Sequence, residues 1–140
     1  MPIIGFNFDK IQAEKLQDVK EKIEIKNNLG IKDIIQDKLP VEGLDNVLKI
    51  TFEFNLEYTP NIGNIILNGH LLYTEDSKKI KDILKDWKKD KKVQTPILEL
   101  LLNAVLQRCH IKALTMAQEL ALPTHIQLPS IRANPNPVQE

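Results

Sequence analysis

The chain is poor in the residues from which most recognisable active sites are built. It has one cysteine in 140 residues, Cys109, so no intrachain disulfide can form, and no Cys/His spacing suits a structural zinc. Its five glycines are scattered and none opens a helical pattern, which leaves no phosphate-cradling loop. Acidic and basic residues balance at 19 each, and a net charge of zero argues against wholesale coating of nucleic acid or of an anionic membrane. No apolar run spans a bilayer: even the longest carries Glu99, Asn103, Arg108 and Lys112. The opening MPIIGFNFDK lacks a basic region, a long apolar stretch and a cleavage site, so a soluble, cytoplasmic protein without membrane insertion is expected.

What is present is an ordinary globular composition, 42% hydrophobic and 27% charged. A chain of this size forms one domain with one core. That domain is expected over residues 1–131, followed by a disordered tail, 132–140, which has nothing to bury. Residues 2–11 alternate as a strand with Ile4, Phe6 and Phe8 on one side. Gln12–Lys22 reads as a short helix or a crossover loop, and Lys22–Ile35 as a bent second strand. Leu39, Pro40 and Gly43 mark a connection.

Val47–Tyr58 is the clearest strand, with Leu48, Ile50, Phe52, Phe54, Leu56 and Tyr58 on one face and Lys49, Thr51, Glu53, Asn55 and Glu57 on the other. A turn-rich segment, 59–64, leads to a return strand, Ile65–Glu75. Ser77 caps a shorter helix to about Lys89, striped by Ile80, Ile83, Leu84 and Trp87. Thr95 caps a long helix with Pro96 in its first turn, and Pro123 closes it. The expected class is α+β: a four-stranded antiparallel sheet, then a short and a long helix packed on one face.

The front half of the long helix is apolar over most of its circumference. Ile97, Leu100, Leu101, Ala104 and Leu106 therefore predict an oligomer interface, a dimer or tetramer of this chain. Chemistry-bearing residues are less telling. Cys109 and His110 are adjacent on a helix, point about 100° apart and cannot face each other. Cys109 lies on the apolar face as a packed thiol, and His70, His110 and His125 are far apart in sequence. No catalytic residue, metal site or cofactor is expected. The eight lysines of 78–92 read as a solvated helix face; the alternative is an adaptor or nucleic-acid-associated module using that basic surface.

Four segments carry a further resemblance: NVLKITFEFNLEY (46–58), IILNGHLLYTED (65–76), TPILELLLNAVLQRC (95–109) and, above all, LPTHIQLPSI (122–131). Their order, hairpin, proline-led long helix and proline- and leucine-punctuated strap, resembles the SecB family of protein-export chaperones. The resemblance implies an ATP-independent holdase without cofactor, assembled as an oligomer and holding unfolded polypeptide in apolar grooves beside the sheet. It places polypeptide binding near Tyr58, Leu71, Tyr73, Ile126 and Leu128. One departure is that Gln12–Lys22 carries none of the aromatics found in that family's crossover loop.

Overall fold

The computed structural model describes residues 3–19, 22–37 and 46–131. Four strands precede two helices: β1 (Ile3–Lys15), β2 (Glu24–Asp37), β3 (Val47–Thr59), β4 (Gly63–Thr74), α1 (Ser77–Asp90) and α2 (Thr95–Glu119). The strands form one antiparallel sheet in the order β1-β4-β3-β2. This is the expected α+β class, with both helices on one face. The tail 132–140 and the connection at Leu39, Pro40 and Gly43 lie outside the described residues.

The two central strands set the layer. In β3 the alternation puts Leu48, Ile50, Phe52, Phe54, Leu56 and Tyr58 under the helices, each at most 1% exposed. Ile65, Leu67, Leu71 and Tyr73 of β4 lie beside them in register, equally buried. Asn61 turns the hairpin with φ 53°, a left-handed conformation that asparagine tolerates better than most residues.

β1 departs from simple alternation. Register shifts at Ile4 and Asp9 turn Ile3, Phe6 and Phe8 toward the core, while Ile4 is 41% exposed. The expected trio of Ile4, Phe6 and Phe8 is thus corrected by a bulge that period-two counting cannot register. The strand also runs on to Lys15, so the first part of Gln12–Lys22 is sheet. The crossover begins at Leu16. The Leu16 and Gln17 amides donate to the Ile62 carbonyl at 2.7 and 3.3 Å. The Gln17 carboxamide donates to the Pro60 and Asn61 carbonyls at 3.2 and 2.9 Å. The link between the two edge strands is thereby fastened to the central hairpin.

Gly69 sits opposite Phe8 and Phe52, where any Cβ would meet the Asn7 carbonyl oxygen and the Phe52 ring. Its missing side chain lets three rings gather: Phe6 stacks on Phe52 at 5.1 Å, and Phe8 meets Phe52 edge-on at 6.2 Å.

The helix ends differ from the sequence expectation. Asp76, not Ser77, caps α1 by accepting from the Lys79 amide at 2.9 Å. Gln94 is the cap residue of α2 and makes no side-chain bond, with Thr95 already in the helix. α2 stops at Glu119, before Pro123: Ala121 takes φ 55° and the Leu122 amide reaches back to the Ala117 carbonyl at 2.8 Å. Along about 38 Å of helix, α2 buries Leu101, Val105, Cys109, Ala113 and Ala117, a line at four-residue spacing. α1 buries Ile80, Ile83 and Trp87.

Candidate functional site

The residues on which the resemblance placed polypeptide binding fall in two groups. Tyr58, Leu71 and Tyr73 are at most 1% exposed beneath the helices, which leaves them no surface to offer. Binding at these three is therefore corrected: their face of the sheet is the one the helices cover. Tyr58 instead positions the strap, donating its hydroxyl to the Pro123 carbonyl oxygen at 2.7 Å. Tyr73 donates to Glu75 Oε1 at 3.4 Å, and burial together with that carboxylate pushes its hydroxyl up to about 12. Ile126 and Leu128 are exposed at 37% and 49%.

A groove that sequence reasoning missed lies between the β2 edge, the end of α1 and the front of α2. Leu29, Ile31, Trp87, Val93, Leu98 and Leu102 line a space of about 500 Å³, with Lys91 and Lys92 at its rim. β2 supplies Leu29 and Ile31 because they share a face with Phe54 and Phe52 of β3. α2 supplies Leu98 and Leu102 because its buried line passes through Leu101 and Val105, turning these two sideways. Trp87 forms the inner wall, 6% exposed, and the Lys91 ammonium lies over its ring at 5.2 Å. The signal for this groove was in the sequence: a helix apolar nearly all round needs a second neighbour. Part of that need is met within the chain, by α1 and β2.

One residue pair of the sheet links the strap to the groove. Leu122 is buried, and His125 packs edge-on against Phe54, centroids 6.2 Å apart. Phe54 is the register partner of Leu29 in the groove. His110 and His125, far apart in sequence, come together here, Nδ1 to Nε2 at 2.6 Å. Burial and the neighbouring His110 hold His125 down at about 4.

Of the five residues expected at an oligomer interface, Leu101 is fully buried within its own chain and is removed from that surface. Leu100 is 39% exposed, while Ile97, Ala104 and Leu106 are half-buried. Ile111, not included among them, is 65% exposed on the same side as Leu100 and Ala104.

The remaining reactive groups do not converge. Cys109 is wholly buried, and desolvation pushes its thiol up to about 12, the opposite of an activated nucleophile. His70 meets Asp9 at 2.8 Å on the face of the sheet away from the helices. Among the described residues no group of three His, Cys, Asp or Glu side chains could hold a metal ion, and no helix is long and apolar enough to cross a membrane.

Compared by sequence, the chain matches no protein-family model and no curated protein. Among solved structures it is similar to the Mycobacterium tuberculosis Rv1957 SecB-like chaperone in complex with a ChAD peptide from the Rv1956 HigA1 antitoxin. The TM-score is 0.60 at 11% sequence identity, over 92% of this chain and 89% of that chain. With a four-stranded antiparallel sheet in the order β1-β4-β3-β2 under a short and a long helix, the protein has a SecB-like fold.

Proposed function

We propose that the protein is an ATP-independent holdase that binds extended, non-native polypeptide along the groove and the strap. The observation that carries this reading is the open apolar groove of about 500 Å³ beside an edge strand; Ile126 and Leu128 of the strap are exposed as well. Open apolar surface of this kind marks a site that binds another chain. Among the described strands β2 is an edge, so its main chain alongside Leu29 and Ile31 is placed for an extended segment to add to the sheet, with side chains at alternate positions entering the groove. That a protein of like fold is in complex with a peptide supports the reading. No cofactor and no catalytic step are required.

The same reading includes self-association through the solvent side of α2, with Leu100, Ala104 and Ile111 at its centre and Ile97 beside them; Leu106 lies on another flank of the helix, in line with Leu102 and His110, and is packed against the chain's own core. Covering that strip removes apolar surface from water at roughly 25 cal/mol per Å². A role in protein export, in the cytoplasm, belongs to the reading as its widest extension.

The test is aggregation suppression. A chemically denatured client is diluted into buffer with the purified protein and without nucleotide, and light scattering is followed. Suppression at micromolar concentrations, with client co-eluting on size exclusion, is expected. Unchanged scattering at a tenfold excess of protein refutes it.

A further inference from the structure

Two histidines meet where the strap crosses α2. His110 Nδ1 and His125 Nε2 are 2.6 Å apart, with ring centroids 4.7 Å apart and planes 25° from parallel. Nitrogens so close between centroids so far apart put the rings edge to edge and nearly coplanar. The contact is an N–H···N hydrogen bond and not a face-on stack. Such a bond requires one nitrogen to carry a proton and the other to be bare. When both rings are imidazolium, N–H faces N–H and the bond is lost. His125 has nothing to fall back on: its Nδ1 is buried without a partner among the described residues.

The pair is also the last fastening of the strap among the described residues. Tyr58 holds Pro123 and Leu122 is buried before it. Beyond it the chain is exposed through Ile131, and the Thr124 hydroxyl bonds only locally, to the Ile126 carbonyl oxygen at 2.9 Å.

We propose that the strap is an acid-released latch, held shut by the His110–His125 bond and freed from His125 onward when both rings carry a proton. The surroundings offer a second positive charge no relief. One turn away on α2 stand Leu106, Ala113 and Leu114; β3 presents Phe54 and β2 presents Leu29. The strap itself brings Thr124 and Gln127, neither ionisable. Arg108 and Lys112, two positions either side of His110, project from other faces of the helix, and Arg108 lies over Phe6. At the groove, the cations Lys91 and Lys92 line the same space as Leu29.

Burial and the His110 charge lower His125 from 6.5 to about 4, whereas a ring released into water takes its proton near 6.5. The open strap therefore binds more protons than the closed one between those values. Closure has its full strength above pH 6.5 and weakens by up to about tenfold per pH unit as pH falls toward 4. Release exposes the edge of Phe54, the register partner of the groove residue Leu29, and frees Ile126 and Leu128 with the strap. On the holdase reading, on which this last step rests, client capture rises in acid.

The test is a pH titration of the full chain from 7.5 to 3.5 by NMR, following the two imidazole signals and the amides of residues 124–128. His125 is expected to titrate at least one unit below 6.5, with the strap amides shifting at the same midpoint. In His125→Phe, which keeps a ring against Phe54 but gains no proton, the strap amides stay fixed over the range. A His125 midpoint near 6.5, or a strap that responds equally in His125→Phe, overturns the latch. Should His125→Phe loosen the strap at every pH, His110→Gln decides: its carboxamide donor does not titrate, so the strap stays closed at pH 5. A strap that opens there as in the unmodified protein also overturns the proposal. Client capture is measured separately at pH 7.5 and 5.5. A latch that opens in a protein capturing no client at either pH counts against the holdase reading alone.

Discussion

The hydroxyl of Tyr58 donates to the carbonyl oxygen of Pro123 across 2.7 Å, joining the end of β3 to the start of the strap. A residue at which the family resemblance places polypeptide binding is in this fold the post to which a surface segment is tied. Burial raises its hydroxyl above the usual tyrosine value, so it remains a protonated donor around neutral pH.

Tyr58→Phe removes this one bond and leaves the ring in place. A loss of about 1 kcal/mol is expected in urea unfolding, because one half-buried acceptor loses its partner. Amide exchange in residues 122–128 quickens more than exchange in β3. Equal quickening in both would mean that Tyr58 supports the core and does not tether the strap.

Gly69→Ala places a methyl group against the Asn7 carbonyl oxygen and the Phe52 ring. Backbone cannot yield as a flexible side-chain end can, so a loss of about 2 kcal/mol is expected, at the middle of the range for overpacked sites. Thermal unfolding by circular dichroism measures it. A change below about 0.5 kcal/mol would show that β1 moves aside at no cost.

Leu98→Asp and Leu102→Asp place charge on the groove wall, where both side chains are half-buried. Client affinity should fall roughly tenfold for the pair, equivalent to about 1.4 kcal/mol. Leu84→Asp, on α1 outside this groove, is the comparison. If it weakens capture equally, the client does not lie where the groove is.

Leu100→Lys with Ile111→Lys tests the solvent side of α2. Light scattering should report a multiple of 16.0 kDa for the unmodified chain and 16.0 kDa for the double variant, with helicity kept. An unmodified chain that is already monomeric at tens of micromolar removes the assembly reading.

Cys109 gives the protein an alkaline limit. Its thiol titrates near 12 when folded and near 9 when unfolded, so the unfolded chain loses its proton first as pH rises. The stability contributed by the neutral buried thiol is whole below pH 9 and declines between 9 and 12. Cys109→Ala flattens that decline, at the cost of a cavity, and alkylation of the native protein by iodoacetamide at pH 8 is far slower than in urea. Matching pH profiles for both chains would show that other groups set the limit.

Much of the fold was legible because β3 obeys a strict period of two and α1 a clean helical stripe. The misses have physical causes. The bulges at Ile4 and Asp9 reverse which side chains face inward, and a bulge leaves no mark in hydrophobicity alone. Asp76 outranked Ser77 as a cap through a bond that depends on where the chain leaves β4. At the site, exposed Ile126 and Leu128 could be read from the strap's composition. Tyr58 shares the apolar face of β3, and Leu71 and Tyr73 the matching face of β4, so the alternation itself marked them as core; the resemblance to a groove-binding family is what put them at a binding surface. The groove needed three elements at once, and the meeting of His110 with His125 depended on Ala121 turning the chain back over α2.

The crossover fastened by Gln17 also bears on the order in which the chain takes shape during synthesis. Of the four described strands β1 is made first, yet its partner among them is β4, made dozens of residues later. β3 and β4 are joined by a short turn and pair locally, so closing that loop costs little entropy. Leu16 and Gln17 then dock on carbonyls that exist as a set only once the turn has formed. The newborn N-terminal segment, carrying Phe6 and Phe8, therefore spends the first part of its life as unpaired apolar chain. It is the very kind of segment that the finished protein is proposed to hold.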